Sequence, residues 1–394
     1  MKGQRIDLVF PRFKLLSGAE RAILGLAEAL GNEGHHARIV CHRFDPSCQS
    51  RLAAGVELEC TGLRLDWTRN RYLNAVFDYA RTWQLERALD PRADLQVFFG
   101  PALPLAWWMK KMKRSQAAIL YYCWEPPRVL YQDRELILQR LGRLRLALSP
   151  GLSAYRGLDR RMVAAVDAVA TSSEFAARRV KECYGRSAVV ITLGVDRKRL
   201  DAARRAGPEG PPVLLTVNYL HPRKRIAMTL EALALLCRQE RQLGGELPRL
   251  LVVGGGPEKS ELEALAQRLG VQRQVRFAGF IADEELPGYY WESTCYVHSA
   301  REESFGLSVI EAAYCARPVV VVDEGGVQET VQHGVTGYRV PATADGLAGG
   351  IADLLARPDR GAQLGEAGRR LVAKKYRWQR GAADLLALVE DLHG

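Results

Sequence analysis

At 394 residues the chain exceeds one comfortable core and predicts two domains, and 47% hydrophobic with 26% charged residues excludes a disordered or fibrous protein. Its eight cysteines (Cys41, Cys48, Cys60, Cys123, Cys183, Cys237, Cys295 and Cys315) are scattered, without Cys-x-x-Cys or clustering with histidine, which argues for free thiols in a reducing cytosol and against zinc or a disulfide framework. The net charge of +11 calls for an anionic partner, and of nucleic acid, anionic lipid and phosphorylated substrate the first finds no helix-turn-helix, finger or RNA-binding signature to support it.

The start, Met1-Lys2-Gly3-Gln4-Arg5 and then Ile6-Asp7-Leu8-Val9-Phe10, is too short in apolar length for a signal peptide and reads as a first strand. No run approaches the roughly 18 apolar residues of a spanning helix, so the expectation is a protein not integral to a membrane. Short apolar runs alternate with amphipathic stretches in both halves, the pattern of an α/β protein with parallel sheets. In the first half, strands are expected at 6–10, 37–41, 95–99, 118–122, 168–171 and 188–192, and helices at 18–30, 74–88, 134–148, 152–166 and 173–184. Ala206-Gly207-Pro208-Glu209-Gly210-Pro211-Pro212 breaks both periodicities and reads as a linker. The second half restarts with strand 213–217, helix 226–239, strand 250–253, helix 259–269 and strands at 275–277, 295–298 and 319–322, with helices from Ala344 and Asp359 onward. Two doubly wound sheets joined by a hinge would bind ligands at the carboxyl ends of their strands, in a cleft between domains.

The segment Glu303-Ser304-Phe305-Gly306-Leu307-Ser308-Val309-Ile310-Glu311 is followed by Gly325-Gly326-Val327-Gln328-Glu329-Thr330 and His333-Gly334-Val335-Thr336-Gly337. A Ser-Phe-Gly turn opening an apolar run aims backbone N–H groups and the positive helix end at one place, which suits a pyrophosphate. Read as helix, the eight-residue step from one glutamate to the other rises by roughly 12 Å, so one carboxylate would meet the sugar of a nucleotide-sugar and the other its ribose. The plain alternative is a surface helix with two solvated acids and two ordinary glycine turns.

That ordered string resembles the donor site of retaining glycosyltransferases with the GT-B fold, specifically glycosyltransferase family 4 (glycosyl transferases group 1). There a Glu, seven residues, a second Glu, an apolar strand, a Gly-Gly turn and a further Glu follow one another. The resemblance implies an acceptor-binding Rossmann-like domain over 1–205, a linker at 206–212, a donor-binding Rossmann-like domain over 213–376 and a last helix, 377–394, crossing back to the first domain. It implies transfer of a sugar from a UDP- or GDP-linked donor to a hydroxyl of an acceptor, a lipid-linked or cell-envelope glycan precursor, without metal or cofactor.

Carried over residue by residue, Glu303 would hold donor sugar hydroxyls, Ser304 and the backbone N–H groups of Phe305, Gly306 and Leu307 would line sugar and phosphate, and Glu311 would take the ribose. Lys224, aided by Arg223, would stabilise the leaving diphosphate; no Asp-x-Asp metal motif is present, in keeping with cationic side chains in that role. Asn218 stands where the family has arginine, and Arg225 where it has glycine after the lysine. Gly18 at a helix start, Gly254 in Gly254-Gly255-Gly256-Pro257, and Ile281 beside Phe280 complete the expected donor contacts. On the acceptor side, Tyr121-Tyr122-Cys123-Trp124-Glu125-Pro126-Pro127-Arg128 resembles the family's Tyr-x-His-x-Pro-x-Arg element, with Trp124 in the histidine place. A Trp cannot shuttle a proton, so either Glu125 contributes or the histidine role is dispensable; Arg128 would bind an acceptor phosphate.

The stretch from Trp107 to Arg114 sets two tryptophans beside a Lys/Arg cluster, which fits a helix lying on an anionic membrane surface, or equally a packed Trp pair with a solvated polar face. The expected location is cytoplasmic, peripheral on the membrane face. Two other readings share the architecture: a sugar-nucleotide epimerase, and a catalytically inactive binding or partner subunit, the latter motivated by Trp124 and Asn218.

Overall fold

A computed structural model describes residues 3–14, 16–63, 81–140, 145–205, 207, 210–243 and 246–393. The strands, in chain order, are β1 (Arg5–Val9), β2 (Arg12–Phe13), β3 (His36–Cys41), β4 (Arg43–Phe44), β5 (Glu57–Cys60), β6 (Leu95–Phe99), β7 (Ala118–Tyr122), β8 (Ala168–Thr171), β9 (Val189–Val190), β10 (Val213–Val217), β11 (Arg249–Val253), β12 (Val275–Gly279), β13 (Cys295–His298), β14 (Val319–Val322) and β15 (Gly337–Val340). They form a seven-stranded sheet in the order β5-β3-β1-β6-β7-β8-β9, a six-stranded sheet in the order β12-β11-β10-β13-β14-β15, and the small pair β2-β4. Among the described residues every ladder between these strands is parallel. Central strands such as β6, β7 and β14 are buried at every position, the condition for a strand covered by helices on both faces. That is why they read as unbroken apolar runs.

Chain contacts divide the molecule into two units, one of residues 1–194 with 378–394 and one of 195–377. The division falls ahead of the Pro/Gly-rich stretch at 206–212 rather than at it, because the helix Arg197–Ala202 packs with the second unit: Leu200 is fully buried and its carbonyl accepts from Trp291 Nε1 at 2.6 Å. In the first unit the helix Trp378–His393 lies along the helix Gly18–Asn32. Glycine permits the close approach: a Cβ on Gly25 would enter the Trp378 indole, and one on Gly381 would enter the Thr192 carbonyl. Asp384 accepts from Thr192 N at 3.0 Å and fixes the register.

Some expected elements change. Residues 82–88 form a 3₁₀ helix, and the remainder of the expected helix at 74–88 falls largely outside the described residues. The expected helices at 134–148 and 152–166 become Arg134–Arg140 and Arg145–Ala165; the second runs through Pro150, forgoing one backbone hydrogen bond there. The strands β5 and β15 were not expected. Both are edges of their sheets, and their Glu-Leu-Glu-Cys and Gly-Tyr-Arg-Val sequences carry the polar residues that edges tolerate.

Candidate active site

In the second sheet the strand order reverses between β10 and β13, the kind of switch point at whose carboxyl end open parallel sheets bind ligands. The segment after β10 makes the 3₁₀ turn Pro222–Lys224, begun by His221, whose Nδ1 faces Arg223 N at 3.4 Å. Ser299, just past β13, places Oγ 2.7 and 3.0 Å from the carbonyl oxygens of Lys224 and Arg225 and so pins this turn to the neighbouring strand end. The loop after β13 returns Glu303 to the same place. Lys224 Nζ pairs with Glu303 Oε2, and His298 Nε2 stands 3.5 Å from that oxygen. Lysine and glutamate are roughly three-quarters buried, and His298 is 1% exposed.

Burial alone would push the Glu303 carboxyl up. The Lys224 ammonium, with the His298 imidazole, outweighs it and holds Glu303 well below the ordinary carboxylate range. Burial lowers the His298 imidazole, more than its acidic neighbour raises it. The lysine beside it thus favours the ionised Glu303 carboxylate, and burial favours the neutral form of the imidazole behind it.

The Gly-Gly turn after β14 has a mechanical reason. At Gly325 (φ +76°) a Cβ would come within 2.6 Å of the Glu303 carbonyl oxygen, one at Gly326 would strike Ser304, and Gly326 N donates to Glu303 O at 2.6 Å. Both glycines let one loop lie against the backbone of the other and hold Glu303. Arg225 adds a second tie, with NH1 3.1 Å from each oxygen of Glu324. It adopts φ +49°, the left-handed region where glycine is unstrained, which accounts physically for a glycine preference at this position.

Glu303 is not on the helix that carries Glu311, contrary to the expectation of one continuous helical rise. Glu302 (φ +47°) and Gly306 (φ +88°) turn the chain first, and the helix runs Leu307–Tyr314. Its first hydrogen bonds run from Val309 N and Ile310 N to Gly306 O, so the amides of Gly306, Leu307 and Ser308 precede the ladder as first-turn donors. Tyr296 Oη bonds Ser308 Oγ at 2.7 Å and lies 3.3 Å from Val217 O, tying this helix start to β10. Glu311 is 5% exposed; Tyr290 Oη donates to Oε2 at 2.8 Å and Arg199 lies 3.7 Å from Oε1.

The remaining donor-side residues are placed as follows. Arg223 sits in the middle of the Lys224 turn, its carbonyl accepting from Arg301 N at 2.7 Å. Asn218 directs Nδ2 to Thr216 Oγ1 at 2.8 Å and is buried. Gly254 (φ +119°) abuts the Asn218 carbonyl so closely that no Cβ fits, so its glycine serves the packing of two turns. Ile281, just past β12, is half-buried, while Phe280 is 60% exposed. His298, Tyr290 and Arg199 were not anticipated from sequence. His298 had a legible signal, a polar residue closing a buried strand at its carboxyl end.

In the first unit, Gly18 begins a helix whose preceding Ser17 bonds the Glu20 carboxylate. Past β7, Trp124 stacks with Phe99 (centroids 5.7 Å, planes at 24°) and lies tilted against Tyr122 (4.4 Å, 49°). Arg128 is 8% exposed, with Nε and NH2 on the two Asp133 oxygens at 2.9 and 3.2 Å and NH1 on Glu125 at 2.8 Å. The cation expected to take an acceptor phosphate is thus neutralised within its own loop. On the helix Leu103–Lys111, Trp107 packs on the core, and Trp108 is 37% exposed with Nε1 donating to Glu86 at 3.1 Å. Lys110 pairs with Asp167 at 2.7 Å, Arg114 pairs with Glu86, and Lys111 lies 4.7 Å over the Trp107 ring. Among the described residues no helix is long and apolar enough to cross a membrane.

Comparison with known proteins adds independent findings. The model of glycosyl transferases group 1 matches residues 198–371, and that of glycosyltransferase family 4 matches 16–199. A GDP-mannose-dependent alpha-(1-6)-phosphatidylinositol monomannoside mannosyltransferase of Mycolicibacterium smegmatis is 34% identical over 58% of this chain, and the chain spans 64% of that relative's length. Human alpha-1,3/1,6-mannosyltransferase is 25% identical over 92% of the chain and 90% of its own length. Among solved structures, sucrose-phosphate synthase from Thermosynechococcus elongatus superposes with a TM-score of 0.76 at 21% identity over 99% of both chains. The lipopolysaccharide glycosyltransferase WaaG superposes at 0.70 with 17% identity, over 99% of this chain and 100% of its own. The fold is GT-B, with two Rossmann-like domains.

Proposed function

The chain belongs to the glycosyl transferases group 1, glycosyltransferase family 4, and from that premise we propose that it is a retaining glycosyltransferase using a nucleoside-diphosphate sugar. The observation that carries this reading is the Lys224–Glu303 pair at the reversal between β10 and β13, beside the first-turn amides of the helix Leu307–Tyr314. Donor phosphates accept from those amides and from Lys224, which moves from Glu303 to the bridging oxygen as negative charge builds on the leaving diphosphate. Glu303, released from the lysine, accepts from donor sugar hydroxyls. Glu311 keeps Tyr290 on one oxygen and accepts from the ribose with its remaining lone pairs. No metal is invoked for this charge work, and Arg223 adds a second cation to the turn.

Relatives that use GDP-mannose favour GDP-mannose as donor and a mannosylated or phosphoinositol-type lipid as acceptor. Trp124, set on Phe99 and Tyr122, offers a face for an acceptor sugar, with Glu125 and Arg128 shaping its loop. Exposed Trp83, Trp108 and Met112 in the first unit support peripheral contact with the cytoplasmic membrane face. The test is incubation of purified protein with GDP-mannose or UDP-glucose, with and without a mannolipid acceptor, followed by mass spectrometry and assignment of the anomeric centre. Transfer with retained configuration, abolished by Glu303→Ala, is expected. Conversion of donor in the absence of acceptor would favour the epimerase, and full biological activity of Glu303→Ala would favour the partner subunit.

A further inference from the structure

Cys41 and Cys60 lie at the carboxyl ends of β3 and β5, which are neighbours in the first sheet, and they are direct partners in its register. Paired strands run about 4.8 Å apart, inside the 4.4–6.8 Å between Cα atoms that a disulfide spans. The two sulfurs stand 3.3 Å apart. The two sites differ in access: Cys41 is buried and Cys60 exposed. Thr61 N also donates to Cys41 O at 3.1 Å, so backbone bonding holds this end of the edge strand in register beyond the cysteines themselves. Nineteen positions separate the pair in the sequence, and only the fold brings them together.

We propose that Cys41 and Cys60 form a reversible thiol–disulfide site, with Cys60 the peroxide-reactive thiol and Cys41 the resolving one. The Cys41 S–H donated to Cys60 favours the Cys60 thiolate, while that bond, then burial, keeps Cys41 protonated. The Cys60 thiolate attacks one oxygen of hydrogen peroxide. An S–O bond forms as the O–O bond breaks, hydroxide leaves and takes up the proton that Cys60 gave to solvent, and Cys60 becomes a sulfenic acid. Cys41 then attacks that sulfur, the S–O bond breaks and water departs with the Cys41 proton. Together the two sulfurs lose two electrons, which reduce one peroxide to two waters. A dithiol reductant reverses the step by exchange. The product staples edge strand β5 to β3. This site is independent of the sugar-transfer reading.

The experiment treats the full-length native protein with a small molar excess of hydrogen peroxide, blocks remaining thiols and maps peptides by mass spectrometry. Wild type is expected to lose the mass of two hydrogens, with the Cys41 and Cys60 peptides joined, and to regain it with dithiothreitol. Cys41→Ala should stop at a Cys60 sulfenic acid that dimedone traps, and Cys60→Ser should show neither product. Retention of all eight thiols by wild type would overturn the proposal, as would a bond from Cys60 to Cys48 or between two chains.

Discussion

The loops at the carboxyl ends of the two sheets handle charge in opposite ways. In the second unit an ammonium, a carboxylate and an imidazole converge at the strand reversal, and a substrate can take up their interactions one by one. In the first unit the comparable loop has joined its arginine to two acids and offers an indole set on two other rings. A diphosphate needs fixed positive charge, whereas a sugar ring is met by an apolar face and a few hydrogen bonds. On the proposed reading, the difference assigns the diphosphate to the second unit and the acceptor sugar to the first.

Substitutions that exchange these characters test the contrast. Lys224→Ala should have the largest effect, lowering kcat/KM by about 10³ (about 4 kcal/mol) in steady-state assays. It should also reverse a pH slope. In wild type the depressed Glu303 contributes stability that is fully present above the unfolded carboxylate value of 4.5 and is lost as pH falls through the lower folded value. Without the lysine, burial is opposed by His298, the carboxyl moves up, and its contribution should instead be lost as pH rises above 4.5. Thermal melts of both proteins from about pH 2.5 to pH 7 separate the wild-type slope below 4.5 from the variant's slope above it.

Arg128→Ala should cost about 2 kcal/mol of stability, because Glu125 and Asp133 lose the cation they share, while nucleotide affinity is unchanged. A loss of nucleotide affinity in this variant would erase the contrast between the units. His298→Asn removes a smaller pH term. The folded imidazole lies below its ordinary 6.5, so its contribution is present above 6.5 and lost as pH falls, at up to about 1.4 kcal/mol per pH unit; the variant's stability should be flatter there in denaturant titrations. Arg225→Gly should do least. It exchanges an ion pair worth about 0.5 kcal/mol against relief of left-handed strain of about 1 kcal/mol, so chemical denaturation should find it unchanged or slightly more stable.

Legibility in the sequence followed burial. Strands such as β6 and β14, covered on both faces, announce themselves as apolar runs, whereas β5 and β15 are edges whose polar residues hide them. Glu303, Glu311 and the Gly-Gly turn were visible as a motif because backbone contact between two loops demands glycine at Gly325 and Gly326. What joins Lys224 to Glu303 was not visible from local sequence, since 79 positions separate them and only the strand order closes the distance. Arg128 misled for a related reason. Its position suggested a free cation, and the Asp133 that neutralises it lies outside the motif.

The most direct test of the central claim, that the charged crevice of the second unit is a nucleotide site, is calorimetric titration of GDP and UDP into wild type and Glu311→Gln. Binding of GDP in preference to UDP, weakened about tenfold (about 1.4 kcal/mol) in the variant, is the predicted result. Failure of both diphosphates to bind wild type, or equal GDP binding by wild type and variant, would contradict it.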